Sequence, residues 1–591
     1  MSFRPTTEHY LALFEPRGII VAGASTHPGK FGFVALHNIV SCGYAGPVYP
    51  TNRDGGQILG VDVLTDIDDV PDGATDLVFV CTPAAANPGV LRQAAAKGVR
   101  AAFIASAGYG EAGEEGRKAQ DELVALAADL DMLVVGPNGQ GVISTPADLC
   151  AQIVAPYPPK GRIGVVSQSG NFVSSFENYA IASGVGISRA VSCGNAAQVG
   201  VTDFLEFYAA DPATDVAIAY VEGMVDGRGF FERLRAVCEQ LPVVLVKGGA
   251  TAGGARAAAS HTGSLATDDR VFDGMCRQAG AVRAPTIEAA FEIAATFATQ
   301  PLPKGPGVMV VSTAGGWGVV TADAITASPD LELLAMPDDL RAELDAQLPP
   351  RWSRNNPIDM AGGETKDTIP AVLRTATAHP SVDAVVFLGM GIQGNTAQME
   401  RAGRFYPDHG LERIVAFHER QERRYTATAA ELADELAKPV LTATELAVTA
   451  PDNAAVRGVV ASGRYCYPSS NRAVAALEHL WRYSRWRRDR DLPTPRLCTR
   501  ALDRPSRRHR LAPRCARARH DPRRPGRGPG ADARLHAGIE PDRAGDSRAQ
   551  RAHPSSCAAR PSTPLSSSRW HRCSPTSRSR AASPSPTTVV T

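Results

Sequence analysis

The histidine at residue 261 stands in a setting that suits chemistry better than packing. It lies in "AAASHTGSLA" (257–266), and the glycine-rich segment "KGGATAGGARAAA" (247–259) runs directly into it. Small residues on both sides offer the imidazole little to pack against and would let it move between partners. Imidazole is a nucleophile at neutral pH, so a mobile His261 could carry a phosphoryl group. A single histidine is more often structural, and that alternative stays open on these residues alone.

A carboxylate is needed beside such an imidazole, to fix its tautomer and to stabilise the imidazolium. Glu222 follows the apolar segment "VAIAYV" (216–221), which predicts a buried strand. If that strand assignment holds, Glu222 and His261 lie at the same edge of one sheet. A glutamate at such an edge can also be merely solvated. The sequence therefore names Glu222 as the candidate partner of His261.

The segment "VVSQSGNF" (165–172) predicts a place for a phosphate, because a strand ends in small polar residues where a helix begins. Free backbone amides and the positive end of the helix dipole attract an anion there. A simple helix cap is the alternative, since serine is favoured at that position. The predicted phosphate-binding residues are Ser167, Gln168, Ser169, Gly170 and Asn171. We expect "STAGGWG" (312–318) to form a second phosphate site of this kind in the third domain. We expect "NNPIDMAGG" (355–363) to lie on the same face of the protein.

The elements that must position these groups follow one pattern three times. A β-branched run, then glycine and small residues, then a helix-like stretch begins at residues 18, 162 and 307. Further apolar runs of strand length follow each opening, and they end in Gly, Ser, Thr, Pro or Asn. This pattern predicts an α/β protein with doubly wound parallel sheets, whose ligands bind at the carboxyl ends of the strands.

The same spacing predicts the domain organisation. We expect a Rossmann-like first domain, two flavodoxin-like domains and a helical linker rich in Arg and Trp, followed by a tail. The predicted ranges are 1–143, 144–301, 302–465, 466–490 and 491–591.

The first opening predicts a phosphate-containing ligand, because its small residues let backbone amides approach a phosphate at a helix N-terminus. A tight turn without a ligand is the alternative. After the second strand, "YPTNR" (49–53) stands where an NAD-binding domain usually carries Asp or Glu for the ribose diol. This disfavours NAD and leaves NADP or coenzyme A (CoA), which both carry an extra ribose phosphate. The predicted ligand-binding residues are Gly23, Ala24, Ser25, Pro28, Gly29, Lys30, Gly32, Tyr49, Pro50, Asn52, Arg53, Cys81, Thr82, Pro83, Ser106, Ala107, Gly108 and Asn138.

The composition of the chain changes sharply at residue 491. Apolar residues make up 44% and charged residues 21% of the 591 residues, as in a soluble globular protein. From Asp491 onward there are 21 Arg, no Lys and 7 acidic residues, a charge of +14, so the preceding residues carry −13 of the overall +1. This Arg/Pro-rich tail predicts disorder, because it has too little apolar surface to offset its ordering entropy. A basic nucleic-acid tail is one interpretation, and the out-of-frame product of GC-rich DNA is the one we favour.

The cysteines and the apolar runs favour the cytoplasm. Eleven cysteines occur without a CxxC pair, which argues against a zinc site and a disulfide framework and for reducing surroundings. The N-terminus lacks an apolar signal core, and no uninterrupted apolar run reaches about 18 residues. We expect no membrane segment and no resident metal.

Eight segments in this order resemble the nucleoside-diphosphate-forming acyl-CoA synthetases, which include ADP-forming acetate–CoA ligase and are related to succinyl-CoA synthetase. The resemblance covers about residues 8–465. The segments are "AGASTHPGKFG", "YPTN", "FVCTPA", "SAGYGEAGEEG", "GPNGQG", "VVSQSGNF", "YVEGM" and "ASHTGSLA".

The resemblance implies an acid–thiol ligase that converts acyl-CoA and phosphate to acyl phosphate and CoA, then passes the phosphoryl group through His261 to a nucleoside diphosphate. It also implies a glutamate in the role given to Glu222, a dimer or heteromer, and an ATP-grasp module with Mg²⁺ for ATP and ADP. No GxxxxGK[ST] loop occurs, and the tail has no βα pattern, so we expect a partner to supply that module. The usual "GPNCLG" of the family is "GPNGQG" (136–141) here, a departure at the expected acyl pocket.

Two other functions remain at this stage. A CoA-binding regulatory protein without turnover would use the first domain alone. An NADP-dependent reductase would need a proton donor in the second domain, where the sequence offers none that we recognise.

Overall fold

A computed structural model of the chain describes residues 3–495, except residues 155, 225, 252, 255, 257–267, 361 and 363–366. The predicted tail, apart from residues 491–495, therefore lies outside the described residues, and so does His261. The described residues form one compact α/β unit built on three principal sheets.

The first sheet is a five-stranded parallel sheet in the order β2-β1-β5-β6-β7. Its central strands are short apolar runs that are buried along their whole length, as a sheet covered on both faces requires. Pro50 lies in the edge strand β2, where a missing amide donor costs nothing. The strands are β1 Ile19–Ala22, β2 Val48–Thr51, β5 Leu77–Val80, β6 Ala101–Ile104 and β7 Leu133–Val135; a hairpin of β3 Gly56–Ile58 and β4 Val61–Val63 follows β2. Its helices are α1 Thr7–Phe14, α2 Phe31–Ser41, α3 Asn87–Ala96 and α4 Glu114–Asp129.

The second sheet has seven strands in the order β14-β13-β12-β10-β11-β8-β9. Strands β10 to β14 are parallel, and β8 and β9 extend the sheet in antiparallel fashion beside β11. Strand β8 spans the predicted boundary at residue 143. The strands are β8 Gly141–Ser144, β9 Leu149–Gln152, β10 Lys160–Ser167, β11 Ile187–Ser192, β12 Val216–Val221, β13 Val243–Lys247 and β14 Val282–Arg283. The helices are α5 Gly170–Ser183, α6 Val201–Ala210, α7 Gly227–Cys238, α8 Asp269–Ala279 and α9 Ile287–Thr299.

The third sheet is parallel, in the order β16-β15-β18-β19-β20, and β17 pairs with β15 beyond the end of β16. In the second sheet β10 lies between β11 and β12, and in the third sheet β15 lies between β16 and β18. In each case the first parallel strand of the unit has the next strands on its two sides, which is the flavodoxin-like order. The strands are β15 Gly307–Ser312, β16 Glu332–Leu333, β17 Ile358–Asp359, β18 Ala384–Leu388, β19 Val440–Ala443 and β20 Cys466–Tyr467. The helices are α10 Gly315–Ala327, α11 Asp338–Asp345, α12 Thr368–Ala378, α13 Ile392–Ala402, α14 Leu411–Leu436, α15 Leu446–Thr449, α16 Ala454–Ala461 and α17 Ser470–Arg488.

Helix α17, in the predicted Arg- and Trp-rich linker, packs against helix α9 of the second unit and against strands β18, β19 and β20 of the third sheet. The Tyr483 hydroxyl donates to the carbonyl of Cys238 at 2.9 Å, and the Ser484 hydroxyl donates to that of Pro303 at 2.7 Å. Trp486 fills the space beside Gly280, where a Cβ would come within 2.5 Å of its ring. The helix therefore fixes the two flavodoxin-like units against each other.

Among the described residues, no helix combines the length and the apolar character needed to cross a membrane. The longest of the described helices, α14, is amphipathic and carries charged residues along its 26 residues.

Candidate active site at the carboxyl ends of the strands

The glycine loop after β1 is built for close backbone approach. Gly23 has a φ of 83°, in the left-handed region that favours glycine. A Cβ on Gly32 would lie 2.0 Å from the carbonyl oxygen of Gly23, so only glycine lets α2 start this close to the strand. Beyond it, Pro28, Gly29 and Lys30 are exposed at the start of α2. These residues give the predicted ligand loop an open helix N-terminus.

The loop is held by the end of the neighbouring strand. The amides of Gly23 and Ala24 both donate to the carbonyl of Thr51 at 3.0 Å, and the Asn52 side chain donates to the carbonyl of Ala24 at 3.3 Å. Asn52 also accepts from the backbone amides of residues 54 and 55, which shapes the turn after β2. Tyr49 is half-buried and Arg53 is exposed at this edge.

A buried amide that the sequence analysis missed organises the next two loops. The side chain of Asn87 is fully buried. With its nitrogen towards Thr82 and its oxygen towards Ser106 and Tyr109, it reaches their hydroxyls at 2.8, 3.0 and 2.7 Å. Asn87 therefore joins the predicted ligand residues Thr82 and Ser106 across the ends of β5 and β6. The pKa of the neighbouring Cys81 thiol is raised to about 12 by burial, so this thiol stays protonated.

A second missed residue, Asn195, connects the first sheet to the second. Its side-chain nitrogen donates to Glu111 at 2.5 Å and to Gln120 at 3.0 Å, its side-chain oxygen accepts from Asn138 at 3.4 Å, and its amide donates to the carbonyl of Pro137 at 2.9 Å. The loops after β6, β7 and β11 thus meet at one residue. The sheet edges that carry the predicted CoA and phosphate residues are therefore fixed beside each other.

Charge and hydrogen bonding explain why Glu111 suits this junction. Partial burial alone would raise the pKa of its carboxyl group, but hydrogen bonds from Asn195 and from the amides of Gly108 and Tyr109 outweigh burial and hold the pKa below its usual range. Glu111 is therefore an anion at neutral pH, and its position also shapes the loop that contains Ser106, Ala107 and Gly108.

The predicted phosphate loop connects β10 to α5. The Ser167 hydroxyl donates to the carbonyl of Ser169 at 2.6 Å and accepts from the amide of Ser169 at 3.0 Å, which closes a tight turn. Helix α5 then begins at Gly170, and the side chain of its N-cap residue Ser169 makes no capping hydrogen bond. Ser167 is thus used to shape the loop, and the first amides of α5 are not capped by Ser169.

Glu222 is attached to this phosphate loop by its own backbone. The amide of Glu222 donates to Oε1 of Gln168 at 2.6 Å, and the amide of Gln168 donates to the carbonyl of Tyr220 at 3.3 Å. The pKa of the Tyr220 hydroxyl is raised, first by burial and then by the charge of Glu222 and a hydrogen bond to it. The structure therefore brings together three sequence-predicted features: the loop at residues 167–171, the end of β12 and Glu222.

The segment that carries His261 starts beside Glu222, and both of its ends lie at the carboxyl end of β13. A Cβ on Gly248 would lie 2.5 Å from the Tyr220 hydroxyl and 3.5 Å from Cγ of Glu222, so the segment leaves the sheet in contact with both side chains. At its other end, Asp269 lies 3.5 Å from Nζ of Lys247, the last residue of β13. Both ends are thus anchored at the carboxyl end of β13. His261 itself lies outside the described residues, so its distance from Glu222 stays a prediction.

The third sheet repeats the turn of the second. The Ser312 hydroxyl donates to the carbonyl of Ala314 at 2.8 Å and accepts from the Ala314 amide at 3.0 Å, and α10 then begins at Gly315. The chemistry facing the helix differs, because a Cβ on Gly315 would lie 2.5 Å from a carboxylate oxygen of Asp359. A carboxyl group beside the N-terminus of α10 disfavours the binding of an anion there. The phosphate site expected at "STAGGWG" therefore stays a prediction, and electrostatics argues against it.

Within the part of the chain that the structure describes, no group of three His, Cys, Asp or Glu side chains is arranged to hold a metal ion. The seven cysteines in that part are all free thiols.

Comparison with protein-family models matches three consecutive parts of the chain. Residues 17–145 match the CoA binding domain, residues 160–297 the succinyl-CoA ligase-like flavodoxin domain, and residues 308–400 the Ligase-CoA domain. These three domains define a CoA ligase.

Individual relatives narrow the class. The chain is 33% identical over 480 residues to the alpha subunit of acetate–CoA ligase (ADP-forming) I of Pyrococcus furiosus, covering 80% of this chain and 98% of that subunit. It is 32% identical over 380 residues to the 4-hydroxybutyrate–CoA ligase (ADP-forming) of Nitrosopumilus maritimus, covering 63% of this chain and 54% of that protein. Among solved structures, the dinucleotide-forming acetyl-CoA synthetase 1 of Ca. Korarchaeum cryptofilum, in complex with phosphate and ADP, matches with a TM-score of 0.69 and 29% identity, over 82% of this chain and 99% of that one. The chain belongs to the family of ADP-forming acyl-CoA ligases and corresponds to its alpha subunits.

Proposed function

We propose that this chain is the CoA-binding and phosphoryl-carrying part of an ADP-forming acyl-CoA ligase. In this proposal the first domain binds CoA at the edge formed by the loops after β1, β2, β5 and β6. The start of α5 binds phosphate, and His261 receives the phosphoryl group with Glu222 as its carboxylate partner. We retain the division into domains at residues 143, 301 and 465 as part of the proposal.

The chemistry takes place in two steps in this chain. A phosphate oxygen attacks the thioester carbonyl of acyl-CoA, the C–S bond breaks, and CoA leaves as a thiolate that takes up a proton. The imidazole of His261 then attacks the phosphorus of the acyl phosphate, the P–O bond to the acyl group breaks, and the carboxylate leaves. Apart from His261, the protein forms no covalent bond to the substrate in these steps. Electrostatic stabilisation of the transferred phosphoryl group therefore provides most of the catalysis.

The contact between Gln168 and Glu222 supports this assignment most strongly. It joins the loop proposed for phosphate, at 2.6 Å, to the backbone amide of the residue whose carboxylate is proposed to stabilise the imidazolium. A carboxylate close to a phosphohistidine site stabilises the positive charge that the ring gains during transfer. Gly248 supplies the second argument, because the segment that carries His261 begins against Glu222.

A partner supplies the nucleotide chemistry in this proposal. An ATP-grasp module, with Mg²⁺ and ADP or ATP, accepts the phosphoryl group from His261. The match to a separate alpha subunit, together with matches covering about half of longer relatives, supports a heteromeric enzyme. The named relatives act on acids as different as acetate and 4-hydroxybutyrate, so family membership alone does not assign the acid.

The partial reaction of this chain alone tests the proposal. The protein is incubated with radioactive phosphate and acetyl-CoA, and in parallel with labelled acetyl phosphate, and protein-bound phosphate and free CoA are measured. We expect label that is labile in acid and stable in base, as a phosphohistidine is. CoA binding without label from either donor would instead identify a CoA-binding regulatory protein.

A further inference from the structure

The side chain of Gln140 lies directly on the first turn of α5. Its Nε2 donates to the side-chain oxygen of Asn171 at 3.1 Å, and its Oε1 accepts from the Ser174 hydroxyl at 3.3 Å. A Cβ on Gly170 would lie 2.2 Å from Cγ of Gln140, so the first residue of the helix must be glycine for this side chain to fit. Gln140 is half-buried, so part of its surface is accessible to a ligand.

The third sheet shows that the fold does not prescribe this chemistry. There the corresponding space over Gly315, the first residue of α10, contains the carboxylate of Asp359. The same glycine position therefore faces a carboxamide in one unit and a carboxyl group in the other. Because the fold accepts different side chains at the N-terminus of this helix, the residue there can determine which substrate group binds next to the phosphate.

Gln140 lies between the two places where the proposed function puts the partners of the acyl group. The acyl carbon is bonded first to the CoA sulfur and then to a phosphate oxygen, so it lies between the first-sheet edge and the start of α5. Gln140 belongs to the segment that connects these two places, two residues after Asn138 at the first-sheet edge and one before β8. Gln140 therefore lies on the segment between the places proposed for CoA and for phosphate.

Three uncharged polar side chains meet at this point. Gln140, Asn171 and Ser174 form the hydrogen-bonded group, and Ser169 precedes it. A primary amide has two N–H donors and two acceptor lone pairs, and each end of Gln140 uses one of them here. One donor and one acceptor are left for a neighbour in the crevice.

We propose that Gln140 determines acyl specificity and selects acids that carry an uncharged hydroxyl over alkyl acids of the same chain length. This inference rests on the proposed function. A hydroxyl pairs with the remaining donor or acceptor of Gln140, whereas an alkyl chain leaves the amide desolvated and unpaired. Sites that hydrogen-bond a substrate hydroxyl discriminate strongly against analogues that lack it.

The selectivity of the wild-type chain is the primary test. Protein-bound phosphate is followed with labelled phosphate and, in turn, butyryl-CoA and the 2- and 3-hydroxybutyryl-CoA isomers. We expect the better hydroxy isomer to exceed butyryl-CoA at least ten-fold in kcat/KM for phosphoenzyme formation. Equal use of butyryl-CoA, or a preference for it, would overturn the inference without any variant being needed.

The variant Gln140→Leu tests whether Gln140 causes that preference. Leucine removes both polar ends and keeps a similar volume, so we expect the hydroxyacyl-to-alkyl ratio to fall about ten-fold or more while labelling by acetyl phosphate continues. Gln240→Leu, at an exposed glutamine near the end of α7, is the matched control and should keep the wild-type ratio. An unchanged ratio in Gln140→Leu would refute the role of Gln140. Failure of the wild-type chain to label with any donor would refute the proposed function instead.

Discussion

The backbone amide of Glu222 donates to the side-chain oxygen of Gln168 at 2.6 Å. This contact connects the loop between β10 and α5 to the end of β12. Strands β10 and β12 are neighbours in the second sheet. Because the contact involves the backbone of Glu222, its carboxylate is not used in making it. The side chain of Glu222 interacts with the Tyr220 hydroxyl instead.

The carboxylate of Glu222 should matter for transfer rather than for folding. We expect Glu222→Gln to slow the labelling of the protein by acetyl phosphate about 100-fold or more, because the neutral amide stabilises the imidazolium less. The backbone contact with Gln168 remains, so the thermal unfolding temperature should change little. Glu232→Gln, at an exposed glutamate in α7, is the control and should label at the wild-type rate. A normal labelling rate in Glu222→Gln would remove Glu222 from the mechanism.

Gly248 should tolerate no side chain. In Gly248→Ala the new Cβ would lie 2.5 Å from the Tyr220 hydroxyl, and displacing that hydroxyl also moves the neighbouring Glu222. We expect slower labelling, about ten-fold or more, with CoA binding retained because the first domain is untouched. Gly274→Ala in α8 has nothing within 4 Å of its new Cβ and serves as the control. Equal labelling by the two variants would show that the contact at Gly248 has no role.

Gly32 should be required for CoA binding. The Cβ in Gly32→Ala would lie 2.0 Å from the carbonyl oxygen of Gly23 and must push α2 away from β1. Overpacking of this kind costs about 1–3 kcal/mol, and the glycine loop moves with the helix. We expect CoA affinity, measured by calorimetry, to fall at least ten-fold. Gly89→Ala, within α3 and with free space around its Cβ, should bind CoA normally; a normal affinity in Gly32→Ala would contradict the assigned site.

The buried carboxyl of Glu177 in α5 should make stability depend on pH. Burial raises its pKa to about 8, and a hydrogen bond from Gln152 opposes this only in part. The folded state therefore holds a proton that the unfolded state releases above its ordinary pKa of about 4.3, so stability is lost as the pH rises from there towards 8. We expect Glu177→Gln to unfold at a higher temperature than wild type at pH 8, with a smaller difference at pH 5. A constant difference between these pH values, by scanning calorimetry, would contradict the neutral carboxyl.

Many of the apolar strands were predictable from the sequence, whereas β11, which contains a buried charge, was not. The run "VAIAYV" is observed as β12, buried along its whole length, and the three openings are observed as β1, β10 and β15. Strand β11 was missed because Arg189 interrupts its apolar pattern. Arg189 is only 2% exposed, and its guanidinium pairs with Asp211 at 3.2 Å and with Glu15 at 2.5 Å. Pairing over such separations leaves no local periodic signal.

The candidate site was predictable in part for the same reason. Segments rich in glycine and serine mark their own loops, so residues 23–32 and 167–171 could be named from the sequence. Asn87 and Asn195 could not, because each acts by joining loops that are far apart in the chain. Gln140 gave only a weak signal, as a departure from the usual family segment. The role of His261 is still a prediction.

The identity of the phosphorylated residue tests the central claim most directly. The chain is labelled with acetyl phosphate, digested at alkaline pH to preserve a phosphohistidine, and mapped by mass spectrometry beside a His261→Ala variant. The account predicts one phosphorylated site at His261 and no base-stable, acid-labile phosphate in the variant. Equal labelling of His261→Ala, or phosphate at another residue, would contradict it.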